Sequence, residues 1–155
     1  MILRCSMACV IALGIVANAS PMYGATTDPC SLLTPAQVSA VLGENVGVGK
    51  NLASTVCDWA APNQPSGVAA KKVTVTLQKP QAFAYAKMPV NSKEITKTPV
   101  SGIGDDAVYG TTSGKLATLT VKKGDVVFVV RVSGFPLDQL EDKEKTLAKE
   151  IVAKL

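Results

Sequence analysis

Four acids stand where a carboxylate pair could act as general acid and base: Asp58, Glu94, Asp105 and Asp106. Such chemistry needs two carboxyls about 5–10 Å apart in a cleft, and glycosidases add a platform of aromatic rings. Rings are scarce here: one Trp, three Tyr and three Phe. Histidine is absent. That excludes Ser-His-Asp and Cys-His catalysis, imidazole metal ligation and a histidine pH switch together. A small envelope hydrolase with paired carboxylates is therefore the third reading, and no catalytic residue is assigned.

Two glycine-rich stretches imitate nucleotide sites and fail on spacing. Gly43 and Gly49 have five residues between them, where a phosphate-binding loop has four, and Asn51 replaces the metal-binding hydroxyl. Turn and strand-bend glycines account better for that segment. Gly102-Ile103-Gly104-Asp105-Asp106-Ala107 is followed by Val108-Tyr109-Gly110-Thr111, which does not continue as the helix a dinucleotide site requires. A calcium loop would need further oxygen ligands at alternating positions. The segment reads as a tight turn presenting two acids. No cofactor and no metal is expected.

What remains is surface chemistry. The candidate partner contacts are Asp58, Asn63 and Gln64 in the Pro62–Pro65 loop, Asp105 and Asp106 in the turn, and Tyr109. Tyr109 fits a strand core better than an exposed anchor. Arg4 and Arg131 are the only arginines among 16 basic residues. Base and phosphate readout leans on Arg, so no nucleic-acid partner is expected.

Residues 1–19 carry one charge, Arg4, then an apolar run from Met7 to Ala17. The run is shorter than the roughly 20 residues a membrane span needs. With Ala17-Asn18-Ala19 after it, it predicts a secretory signal peptide. A cut after Ala25 fits less well, because Tyr23 is a poor −3 residue. No cysteine follows a lipobox, so the expected product is a periplasmic or secreted bacterial protein with no transmembrane segment and no lipid anchor. Losing Arg4 lowers the formal charge from +4 to +3. Mean hydropathy is +0.25, raised by the leader.

Of four cysteines, Cys5 and Cys9 leave with the leader. Cys30 and Cys57 remain, and an even pair in an exported domain predicts a disulfide.

The elements that must position these residues follow from pattern. Thr34-Pro35-Ala36-Gln37 predicts a capping box opening a helix of about eight residues, with Leu33 and Val38 as its hydrophobic staple and Gly43 as its stop. Residues 46–60 read as extended with a bend at Gly47 or Gly49; Cys57 and Trp59 share the core face and Asp58 points away. Val73, Val75 and Leu77 alternate with polar residues as a half-buried strand. Pro80 to Met88 predicts a short helix, and residues 90–99 a loop or edge. A short strand at Ala107–Tyr109, an alternating one at 115–121 and a turn at Lys123-Gly124 precede Val126–Val130, apolar on both faces as a central strand is. From Asp138 to Leu155, Leu140, Leu147, Ile151 and Leu155 make one helical stripe, with acids at the start, lysines at the end and Glu141–Lys145 and Glu150–Lys154 as i,i+4 pairs. The chain is thus expected to hold a single α+β domain over residues 26–155, with an antiparallel sheet of about five to six strands, a short N-terminal helix, a long C-terminal helix and one disulfide.

Asp28-Pro29-Cys30-Ser31-Leu32-Leu33-Thr34, Cys57-Asp58-Trp59, Gly102-Ile103-Gly104-Asp105-Asp106-Ala107 and Lys123-Gly124-Asp125 together resemble a family of small exported, lipoprotein-like bacterial proteins of unknown function. The resemblance covers nearly the whole mature chain and implies a fold similar to the α+β sandwich of the PsbP and Mog1 proteins. It supplies no catalytic residues, and the lipid-anchor cysteine is missing here. The resulting expectation is a non-catalytic binding or accessory module of the bacterial envelope, with an unknown protein or small-molecule partner. The alternative is a periplasmic inhibitor or immunity protein that binds an enzyme through a loop.

Overall fold

A computed structural model describes residues 27–64 and 67–155. The leader, with both cleavage sites, lies outside the described residues, as do Pro65 and Ser66. Seven strands and three α-helices follow one another as α1 (Pro35–Leu42), β1 (Lys50–Ala53), β2 (Val56–Ala60), β3 (Lys72–Gln78), α2 (Ala82–Lys87), β4 (Ile95–Val100), β5 (Asp106–Thr112), β6 (Leu116–Lys123), β7 (Val126–Ser133) and α3 (Leu137–Val152). They form an α+β fold on one antiparallel sheet, ordered β1-β2-β3-β7-β6-β5-β4.

The expected five to six strands become seven because two short edge strands carry little periodicity. Every residue of β1 is exposed, so it offers no alternation, and the ladder to β2 shifts register between Asn51 and Ala53. At the other edge, β4 contains Pro99, which a strand tolerates where one side is unpaired.

The local chemistry of α1 follows its sequence. Thr34 accepts from the Gln37 amide while the Gln37 side chain accepts from the Thr34 amide, and Gly43 closes the helix at φ +70°. The core lies between the sheet and the pair α1/α3. Trp59, Leu119, Phe128, Val130, Leu147 and Ile151 are fully buried in it. The Cys30–Cys57 disulfide ties the segment before α1 to β2, with Cα atoms 5.1 Å apart. On the opposite face, Phe83 of α2 closes over Val108 and Val127, which explains why β7 is apolar on both sides.

Gly49 marks how closely the chain passes this core. A Cβ there would lie 2.5 Å from Cys57 Sγ and 2.6 Å from the Trp59 ring. Gly49→Ala should therefore destabilise by about 1–3 kcal/mol through overpacking. Urea denaturation measures this, and a midpoint equal to wild type would contradict it.

Helix α3 departs from expectation in three places. Glu150 accepts from Gln37 Nε2 at 2.6 Å and Lys154 donates to the Ser31 carbonyl, so these two side chains tie α3 to the N-terminal segment instead of pairing with each other. Glu141–Lys145 does pair, at 2.6 Å. The helix ends at Val152, leaving Leu155 39% exposed outside the stripe. Glu144, one of the acids expected to serve the start of the helix dipole, is instead 0% exposed.

Candidate functional site

Strand alternation sends Cys57, Trp59, Val73, Val75, Phe128, Val130 and Val132 to the core. Their neighbours face the other way. Register places Lys50 opposite Asp58, Asp58 opposite Thr74, and Thr74 opposite Arg131. These four side chains form one row across the outer face of β1, β2, β3 and β7. At about 4.8 Å per strand, the row is about 14 Å long. Helix α2 occupies the β4–β7 side of this face. Its Lys87 pairs with Asp106 at 2.6 Å, and Lys97 of β4 donates to the carbonyls of Tyr85 and Met88. On the β1–β3 side Lys50 is exposed, and Lys72, Thr74, Thr76 and Arg131 are partly so.

A groove of about 400 Å³ opens at the β1 end of the row, lined by Val48, Lys50, Leu52, Asp58, Ala60 and Pro62 among others. Val48 is 79% and Leu52 64% exposed, so two large apolar side chains stand in water on its rim. The floor is polar: the Thr74 hydroxyl donates to Asp58 Oδ1. Pro62 begins the adjoining loop. Gln64 fixes that loop, donating to Glu44 Oε2 at 3.0 Å and accepting from the Lys71 amide at 3.3 Å. Lys71 Nζ pairs with Glu44 in the same network. Asn63 is exposed at the tip, with φ +55°. A second hollow, of about 490 Å³, lies at Asp28, Asn51, Ser54 and Thr55, beyond the disulfide.

The structure thus gathers Asp58, Asn63 and Gln64 at one end of the sheet. The other candidates lie elsewhere. Asp105 accepts from the Gly124 amide at 2.6 Å and pairs with Lys123, and that hydrogen bond, then the lysine, holds its carboxyl below the usual range. It staples the β6–β7 turn. Asp106 is held by Lys87. Tyr109 is 6% exposed, which removes it from any surface contact. Burial and the charges of Glu144 and Glu141 push its hydroxyl up to about 12. Nor are the four carboxylates gathered as a catalytic pair. Asp58 is four strands from β5, and Glu94 lies beside Ser113, which donates to it at 3.3 Å. Among the described residues, no group of three His, Cys, Asp or Glu could hold a metal ion, and no helix is long and apolar enough to cross a membrane.

No protein-family model, curated protein or solved structure matches the chain.

Sequence reasoning missed two groups. Val48 and Leu52 sit in a short extended segment without periodicity, so nothing marked them as a rim. Glu144 had a signal: it falls on the stripe of Leu140, Leu147 and Ile151, at the spacing of a buried position. Its Oε1 accepts the Val132 amide at 2.9 Å. The β6–β7 ladder runs only from Lys123–Val126 to Leu119–Val130, so beyond Val130 the carboxyl takes the place of a strand partner. Trp59 Nε1, Tyr109 Oη and Glu144 Oε2 are buried with no hydrogen-bond partner among the described residues.

Proposed function

We propose that this chain is an exported, non-catalytic binding module of the bacterial envelope that holds a partner protein on the outer face of β1–β3. The exposed pair Val48 and Leu52, rimming a groove with a polar floor, carries this reading. Large apolar side chains standing together in water beside polar groups mark protein contacts more often than chemistry. The disulfide suits an oxidising compartment. Both sheet edges are blunted, one by a shift of register and Lys50, the other by Pro99 and Lys97, which disfavours strand addition and leaves the face as the contact. The anchored loop beside the groove supports the second reading, an inhibitor that presents Asn63 to an enzyme.

A photo-crosslinking residue at Val48 or Leu52, in the exported full chain within the producing bacterium, tests the proposal. A discrete protein adduct is expected from both positions and none from Lys145 on α3. Absence of adducts at both groove positions, or equal labelling from Lys145, would overturn it.

A further inference from the structure

The central strand of the sheet carries a charge that no described acid pairs. Arg131 lies on β7, the fourth of seven strands, on the outer face. It is partly buried, yet forms no ion pair with any described residue. A guanidinium in a half-desolvated position gains most from a carboxylate presented to its planar fork. The one acid among the outward strand positions nearby, Asp58, already accepts the Thr74 hydroxyl. Lys50 and Lys72 share this part of the face, so its cations outnumber its acids. Across the molecule the balance tips the other way: the surface of α3 carries Asp138, Glu141, Asp142 and Glu150 against Lys143, Lys145 and Lys149.

Resting on the reading of this face as a protein contact, we infer that the partner is acidic, and that one of its carboxylates meets Arg131 while an apolar side chain enters the groove between Val48 and Leu52. The two anchor points stand about 14 Å apart along the Lys50–Arg131 row, a span suited to a protein surface rather than a small ligand. A lipid surface is disfavoured because it draws on clusters of about four to eight basic residues, and only three lie here. Single-stranded nucleic acid is disfavoured because the outward positions carry no aromatic ring on which a base could stack.

A Glu-rich peptide with one leucine serves as the probe, titrated against the isotope-labelled chain. Shifts are expected at Val48, Leu52, Lys72, Thr74 and the Arg131 side chain. Arg131→Gln should weaken binding about tenfold, the scale of one charged contact. Arg131→Lys should fall between wild type and R131Q, which separates lost charge from lost folding, and Lys149→Gln on α3 should bind as wild type does. Shifts centred on α3, equal binding by R131Q, or tighter binding of polyphosphate or of phosphatidylglycerol vesicles than of the peptide would each overturn the inference. If Leu52 crosslinks a protein in cells and R131Q leaves that adduct unchanged, the binding-module reading stands and the acidic partner falls.

Discussion

Wild-type protein and its Glu144→Gln variant are expected to melt together at pH 4.5 and to diverge as the pH rises to 9, with the variant the more stable. Burial pushes the Glu144 carboxyl up to about 8, from an ordinary value of 4.5. The Val132 amide and Arg131 pull the other way without cancelling this, while Glu141 adds to the rise. An acid raised in this way favours the folded state when protonated. Below pH 4.5 both states hold the proton and its contribution is complete. Between 4.5 and 8 the unfolded chain has released a proton that the folded chain keeps, so stability falls with pH. Above 8 the folded state carries a buried anion. The whole span is on the order of 4 kcal/mol, a large share of a typical domain's stability. Glutamine keeps the acceptor for Val132 and cannot ionise, so the slope should vanish. Leucine discards the acceptor and should cost about 1–3 kcal/mol at every pH, because the Val132 amide is left unpaired. Calorimetry from pH 4.5 to 9 decides it: parallel curves for wild type and E144Q would show that Glu144 does not titrate between the two states.

Replacing Cys30 and Cys57 together by alanine is expected to lower stability by about 3–4 kcal/mol. The bridge spans a sequence separation of 27, and closing a loop of that size removes about that much freedom from the unfolded chain. In melting temperature this is a drop of roughly 10 °C or more. The loss is placed unevenly. Cys57 is fully buried beside Trp59, whereas Cys30 sits within a short, partly exposed 3-10 turn, Pro29–Ser31, capped by Asp28. Amide exchange should therefore rise first in residues 28–33 and only later in β2. An unchanged melt for the double variant would mean the bridge adds nothing to the fold.

Most of the scaffold could be read from residue order because its signals are local. The capping box of α1 needs only Thr34, Pro35 and Gln37. The alternation of β3 and the double-sided β7 declare their burial within seven or eight residues. An even pair of cysteines left behind a predicted leader was enough to predict the bridge. What escaped depends on meetings between distant segments. Strand β1 exists because Lys50 and Asn51 pair with Asp58 and Cys57, a fact its own exposed residues cannot announce. Glu150 finds Gln37 from 113 positions away, so the closer Lys154 loses it. The candidate site was legible in part. Asp58 was placed by alternation, but its value as a groove floor depends on Val48 and Leu52 standing at the rim. Asp105 looked available from the turn sequence, and only the approach of Gly124 shows it to be occupied.

The place of β7 has a consequence for assembly. Strands β1–β3 form one meander, β4–β6 another, and the two join only through the strand that comes last in the chain. A polypeptide emerging N-terminus first must hold two unmatched three-stranded ribbons until residues beyond Val126 arrive, and then zip both sides at once. Such late, long-range closure makes for slow maturation.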